Sequence, residues 1–456
     1  MAPTLRFVIL GGGPAGNSAA TTAARLGADV TLVERDIVGG AAHLWDCIPS
    51  KAMIATGGAI SFARRSTGMG LARGEAAAID PDGLKRRITD IEDHLNRLVV
   101  DLLTSQGVRI VRAQGRLVGP HEIELDAGMG VERLAADAVL VSTGSRPRVP
   151  DWCQPDGDRI LTTRQAYPPP VVPEHLVVVG SGVTGVEFVH MFRSLGSAVT
   201  LIVSRQQVLP DKDSEVAAAL EDDFLRRHIV LLKAARAVGV DRDDDAVVVR
   251  CDDGRSVRAS HVLLAIGAVP NTEGLGLEAA GVERDTAGFI PVNQHCQTNV
   301  DHVYAAGDVS GKLPLSSVAT MQGRKLAEHV MGLHTRQHRH LNYDKAAQAI
   351  FTEPEIAEVG VAEAEAFAAG RKIRVTKVPF SANAKALIND DPRGFVKVLS
   401  DPATGVVLGG SIVGRHAAEL IAVVALAVNA HLKVSDIFES LLVHPTLAES
   451  LAEAAD

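Results

Sequence analysis

The chain has 456 residues, 46% of them hydrophobic and 22% charged, and a formal net charge of −9. This allows roughly three domains of ~150 residues with sizeable cores, and an acidic balance with no compensating basic patch excludes a nucleic-acid partner. No apolar run reaches the ~18 residues of a membrane span. The four scattered cysteines, Cys47, Cys153, Cys251 and Cys296, suit neither a secreted disulfide framework nor a Cys-x2-Cys metal site, and a strand begins too early to leave room for a signal peptide. A soluble cytoplasmic α/β protein without a metal is expected.

Leu5 to Leu10 reads as a short buried parallel strand. It runs into Gly11-Gly12-Gly13-Pro14-Ala15-Gly16, a G-x-G-x-x-G turn that lets a pyrophosphate approach the backbone in front of a helix N-terminus. Asn17 to Leu26 is the Ala-rich helix. Asp29 to Val33 is the next strand and ends at Glu34, followed by Arg35. A carboxylate at Glu34 is placed to accept hydrogen bonds from a ribose 2′-OH. Farther on, Leu84, Ile88, Ile91, Leu95, Leu98 and Leu102 recur at helical spacing and predict a long amphipathic packing helix. Short strands alternate from Val108 to Leu125, around Gly115. Ala138 to Val141 leads into Ser142-Thr143-Gly144-Ser145-Arg146-Pro147, and Pro147, Pro150 and Pro155 mark a crossover.

A second nucleotide-binding pattern begins at Leu176 to Val179. Gly180-Ser181-Gly182-Val183-Thr184-Gly185 repeats the fingerprint, Val186 to Leu195 is its helix, with Glu187 near the start, and Val199 to Val203 is the next strand. This strand ends Val203-Ser204-Arg205, with no carboxylate for a ribose and a cation where a 2′-phosphate can sit. NADPH is therefore expected to serve at least as well as NADH. His261 to Asn271, through Gly267, is a further strand and turn. Thr298 to Asp308 closes on Tyr304-Ala305-Ala306-Gly307-Asp308, and a helix is expected from Val318, preceded by Ser317 and followed by Ala319. Composition changes near Leu341. The end reads Val443-His444-Pro445-Thr446-Leu447-Ala448-Glu449, where Pro445 suits the first turn of a helix and a histidine held by a carboxylate is a general acid–base arrangement.

One stretch organises the rest: Gly39-Gly40-Ala41-Ala42-His43-Leu44-Trp45-Asp46-Cys47-Ile48-Pro49-Ser50-Lys51. It resembles the Gly-Gly-Thr-Cys-x4-Cys-x-Pro-Ser-Lys active-site segment of the FAD-dependent pyridine-nucleotide disulfide oxidoreductases, and the other motifs fall in that family's order over residues 5 to 456. Within the family the segment is most similar to the lipoamide-dehydrogenase-like NAD(P)H:quinone reductases, which also carry Gly-Gly-Ala-Ala and one cysteine. The resemblance implies an α/β fold of two Rossmann-like domains and a C-terminal α+β dimerisation domain. The FAD domain would be 1–147 with 291–335, the NAD(P) domain 148–290 and the dimerisation domain 336–456. It implies that FAD lies on the first fingerprint, Glu34 and Arg35, on Gly40, Ala41, Cys47 and Lys51, and on Gly115, Thr143 and Gly144. It further implies that Asp308 of the Gly307-Asp308 turn binds the ribityl chain, and that the helix opening at Ser317 to Ala319 points at the isoalloxazine. NADPH or NADH would use Gly180, Gly182, Val183, Thr184, Gly185, Glu187, Val203 to Arg205 and Gly267. Lys51 and Glu187 match a family pair beside flavin and nicotinamide. His444, oriented by Glu449, would reach the active site of the other subunit of a homodimer.

The first family cysteine is Ala42 here, and a disulfide needs two sulfurs within reach. Electrons are then expected to pass from FAD directly to a flat acceptor such as a quinone. Cys47, Lys51, Glu187, His444 and Glu449 are the catalytic candidates. Cys47 either tunes the flavin or is an inert thiol; Trp45 either stacks on an acceptor or packs in the core. Two other readings remain open: a soluble pyridine nucleotide transhydrogenase, and a flavin-binding partner protein without turnover.

Overall fold

The computed structural model describes residues 4–72, 79–128, 130–169, 171–333 and 340–456. Two compact units emerge, one of residues 1–50, 85–148 and 268–343, the other of 51–84, 149–267 and 344–456.

The first unit is built on a five-stranded sheet in the order Val303–Ala305, Ala138–Val141, Arg6–Leu10, Asp29–Glu34, Arg109–Arg112, with every neighbouring pair parallel. Both faces are covered, as the apolar strand composition requires. Phe7 and Ile9 point to one side and pack with Ala19, Ala20 and Ala23 of the Pro14–Arg25 helix and with Leu103 and Leu326. Val8 and Leu10 point to the other, against Leu117, Ile123 and Leu125 of the antiparallel meander Gln114–Gly119, Glu122–Asp126, Val131–Ala135. The Ser316–Val330 helix lies so close to Pro14–Arg25 that a Cβ on Gly323 would come within 2.1 Å of the Ala15 carbonyl oxygen.

The second unit holds another five-stranded parallel sheet, Val230–Lys233, Ala198–Val203, His175–Val179, His261–Leu264, Ile160–Thr162, with its own meander from Ala237 to Ala259. It also contains an antiparallel sheet, Gln348–Ile350, Glu355–Gly360, Val407–Gly414, Phe395–Ser400, Arg374–Pro379. Val396, Val398 and Ile412 of that sheet pack with Ile421 and Val424 of the Ala417–Ala430 helix. Buried Lys397 joins the two sheets' layers through Asp213, Glu215 and Glu363. Burial of an unpaired ammonium is costly, so the three carboxylates and the lysine specify one another.

The structure adjusts several boundaries. The first fingerprint helix starts at Pro14 rather than Asn17, because proline needs no N–H donor in a first turn. The second fingerprint helix starts at Val183 and the later one at Ser316. The long helix is present as Pro81–Ser105. Leu84 and Ile88 are buried on it, but Leu98 and Leu102 are exposed, and Leu103 takes their place in the core. Pro445 does not open a helix. It follows a cis peptide bond, and the helix begins at Glu449, whose carboxylate accepts the Thr446 N–H.

Candidate functional site

In each parallel sheet the fingerprint turn is fixed by contacts inside the chain, except at its middle glycine. Gly11 has φ +107°, and a Cβ there would meet the Ser142 carbonyl oxygen at 2.3 Å; a Cβ on Gly16 would meet the Gly11 oxygen at 2.0 Å. Gly180 and Gly185 repeat this geometry against Ala265 and Gly180. Gly13 and Gly182 differ. Their backbones are extended, at φ −73° and −74°, and a Cβ on either would touch nothing within 4 Å among the described residues. The fold itself therefore permits a side chain at both, and the open ground in front of them, at a helix N-terminus, suits a close-approaching phosphate.

Around the first turn, Glu34 accepts the Gly12 N–H through Oε2 at 2.7 Å and the Asp36 N–H through Oε1 at 2.8 Å. These bonds fix its carboxylate at the C-terminal end of its strand. Arg35 points outward and pairs with Asp36. Gly40, at φ +60°, crosses over Gly13: a Cβ on it would lie 3.0 Å from the Gly13 Cα. Gly115 is buried in the meander beneath Leu10 and Val33. Thr143 Oγ1 donates to the Asn271 carbonyl, Asn271 returns a bond to the Thr143 carbonyl, and the Asn271 N–H donates to Gly144 O. Ser145 Oγ donates to Asp308 Oδ2 at 2.6 Å, and the Gly307 N–H donates to Gln322 Oε1. The Ser316–Val330 helix has no side-chain cap, leaving the first-turn N–H groups of Ser317 and Val318 without intrahelical acceptors. Asn17 Oδ1 and His43 Nδ1 are buried polar atoms with no hydrogen-bond partner among the described residues.

The segment from Gly39 to Lys51 forms one wide π-helical turn, Ala42–Asp46, followed by the Ile48–Arg65 helix. Such turns recur where a helix is distorted for function. Ser50 Oγ ties the turn down by donating to the Asp46 and Cys47 carbonyls. His43 is folded back beside Gly39, and burial holds its pKa below the ordinary imidazole value, with the Val38 main chain opposing in part. Trp45 is half-buried. No disulfide joins any of the four cysteines. Burial pushes the Cys153 thiol up to about 11 and the Cys296 thiol up to about 12, and raises Cys251 too.

In the second unit Lys51 Nζ donates to Glu187 Oε2 at 2.9 Å, and the other carboxylate oxygen accepts the Phe351 N–H at 2.9 Å. Val183 and Thr184 are exposed beside Gly182. Val203 is buried, while Ser204 and Arg205 emerge into solvent beyond the strand. Gly267 takes a positive φ of +97° just before the chain crosses back to the first unit. His444 is mostly exposed, and its Nδ1 lies 2.7 Å from Glu449 Oε1. The Thr446 N–H and His444 together hold the Glu449 carboxyl below its usual range. Sequence reasoning missed Phe351, Ser145, Asn271 and Gln322, because their roles come from main-chain or long-range bonds that no local pattern announces. Among the described residues no group of three His, Cys, Asp or Glu side chains is arranged to hold a metal ion, and no helix is long and apolar enough to cross a membrane.

Comparison with known proteins agrees with this geometry. Residues 5–323 match the model of the pyridine nucleotide-disulphide oxidoreductases, and residues 346–455 match that family's dimerisation domain. The chain is 40% identical to an NAD(P)H dehydrogenase (quinone) of Mycobacterium tuberculosis, covering 99% of this chain and 93% of that protein. It is 33% identical to a dihydrolipoyl dehydrogenase of Zymomonas mobilis, covering 100% and 98%. The crystal structure of LpdA from Mycobacterium tuberculosis superposes with a TM-score of 0.94 at 40% identity over 99% of each chain.

The open approach to Gly13 makes a direct test of the flavin site. Gly13→Val is expected to fold, because its backbone is already extended and its Cβ meets nothing. It is expected to lose at least roughly a hundredfold in FAD affinity, about 2.7 kcal/mol. Titration of the apoprotein with FAD, alongside the apoprotein urea midpoint, reads both. Retained affinity would remove the pyrophosphate from this turn.

Proposed function

Because the chain belongs to the pyridine nucleotide-disulphide oxidoreductase family, whose members use FAD and NAD(P)H, we propose that this flavin-dependent NAD(P)H oxidoreductase reduces a quinone without a redox disulfide. The observation that carries the reading is Ala42 in the place of the family's first cysteine, together with three other thiols buried in hydrophobic cores. When bound, FAD supplies the two-electron relay between nicotinamide and acceptor. The open ground before Gly13, the orphaned Asn17 Oδ1 and the uncapped helix at Ser316 fit that group.

The chain's own residues supply the rest. The first fingerprint, Glu34, Gly40, Ala41, Thr143, Gly144 and Asp308 bind and orient FAD, and Ser145 holds the Asp308 carboxylate. The second fingerprint binds the nicotinamide dinucleotide. Lys51, held by Glu187, presents a fixed positive charge to the flavin, and Cys47 contributes a thiol beside it. A quinone takes two electrons and two protons, whereas a hydride delivers two electrons and one proton, so one proton comes from solution. His444, oriented by Glu449, delivers it. The imidazole is exposed in the single chain, as are neighbouring Leu441 and Val443. A second copy that covers this end makes a homodimer and brings His444 to the partner's acceptor site. FAD-binding, NAD(P)-binding and dimerisation functions are thus divided along the chain, with boundaries near residues 148, 291 and 336.

Steady-state turnover with a panel of benzoquinones, naphthoquinones, thio-NAD, lipoamide and glutathione disulfide tests the acceptor. Quinones should be the good substrates, and His444→Ala should lower quinone turnover by on the order of 100-fold while leaving flavin reduction by NADPH nearly unchanged. Thio-NAD reduction that outpaces every quinone would replace this reading with transhydrogenation.

Arg205 emerges past buried Val203 where a 2′-phosphate would lie. Arg205→Ala should raise the Michaelis constant for NADPH about fivefold, the size of a partly screened charge contact, and leave that for NADH unchanged. Equal effects on both nucleotides would withdraw the assignment.

A further inference from the structure

The Lys51–Glu187 pair does not stand alone. Glu187 lies in the first turn and a half of the Val183–Leu195 helix and is buried. Its Oε2 is taken by Lys51, and its Oε1 by the main-chain N–H of Phe351, each at 2.9 Å. The Phe351 ring then turns back onto the same ammonium, with Lys51 Nζ 4.9 Å from the ring centroid. Phe351 thus touches both members of the pair, one through its backbone and one through its aromatic face. Its neighbourhood is rigid. The next residue but one, Glu353, pairs with Arg65 at 2.7 Å and with Arg393 at 3.0 Å. Arg65 is the last residue of the Ile48–Arg65 helix that carries Lys51 near its start. Arg393 is held in addition by Asp391 and Asp223. One short segment, residues 351–353, therefore clamps the lysine's helix at both ends.

We propose that Phe351 is the positioning residue of the Lys51–Glu187 pair: its N–H fixes the carboxylate, and its ring confines the ammonium to one rotamer. The physical argument is one of count and range. Lysine carries a flexible four-carbon stem and a compact charge, and one carboxylate oxygen leaves that charge free to swing. Its side chain remains about one-third exposed, so water competes for it. A cation over an aromatic face gains stabilisation that water does not match once the face is partly desolvated, and the ring blocks the stem's alternative directions. The inference rests on the proposed role of Lys51 in flavin chemistry, but it does not depend on which acceptor is used.

The test uses the FAD-loaded protein with Phe351→Leu and Phe351→Tyr. Leu keeps the backbone N–H and the apolar bulk but removes the aromatic face; Tyr restores the face. The first readout is pulse acetylation followed by peptide mass spectrometry. Lys51 in Phe351→Leu should react about three- to tenfold faster than in the unaltered protein, and Phe351→Tyr should return it to the original rate. Lys397, at 1% exposure with three carboxylates around it, should stay unreactive in all three proteins and so reports an intact fold. The second readout is the rapid-mixing reductive half-reaction: Phe351→Leu should lower the limiting rate of flavin reduction by a similar factor, with the NADPH dissociation constant unchanged. Equal Lys51 reactivity in all three proteins would overturn the proposal, as would equal change in the Leu and Tyr variants. Altered Lys51 reactivity with an unchanged limiting rate would uphold Phe351 as the anchor and instead refute the flavin role of Lys51.

Discussion

A buried carboxylate must be paired or it is too costly to keep charged. Glu187 is that group here, and its two oxygens decide what meets around it. One takes the ammonium of Lys51, from the helix that follows the active-site turn, and the other takes the main chain at Phe351, at the edge of the antiparallel sheet. Glu187 is itself placed by the turn at Gly182 and Gly185, so that glycine-rich turn also sets the position of the cation. Arg393 and Lys397, each ringed by carboxylates, hold the same sheet and helices in register.

Against that fixed frame Ala42 stands where the family's segment carries its first cysteine. Ala42 opens the π-helical turn that ends just before Cys47, so the turn survives without the sulfur. The remaining thiols are poor candidates to replace it. Disulfide exchange needs a thiolate, and burial raises the pKa of Cys153, Cys251 and Cys296. Cys153 and Cys251 pack in a core of the second unit and Cys296 in a core of the first. What remains is a charged, positioned lysine, a histidine–glutamate pair at an exposed end of the chain and two dinucleotide turns, a set that suits direct transfer from flavin to a small acceptor.

Much of this was legible in the sequence because its signals are local. Strand, glycine turn, helix and acidic strand end lie within thirty residues in the first sheet, and the same order without the acid recurs in the second. The family resemblance supplied the pairing of Lys51 with Glu187, which their separation in the chain hides. What stayed hidden depends on tertiary placement. Periodicity put Leu98 and Leu102 on the packing stripe of their helix, yet Leu103 is the residue that reaches the core. Pro445 satisfies the rule for a first helical turn, but the Glu449 carboxylate and Thr446 N–H set the helix start four residues later. Phe351 acts through an N–H that every non-proline residue possesses, so nothing in its identity marked it as an anchor. Gly13 and Gly182 were read from a motif, and only their surroundings show that the chain itself leaves both positions open.

The proposed relay gives electrons one resting place per chain, the bound flavin. A single thiol cannot take up two electrons as a disulfide does. The most direct measurement is an anaerobic reductive titration of the FAD-loaded protein, followed by flavin absorbance. Full bleaching is expected after two electrons per FAD, with no stable intermediate attributable to a reduced disulfide and with the same count in Cys47→Ser. Uptake of four electrons per FAD, reduced to two by Cys47→Ser, would reveal a second redox pair and contradict it.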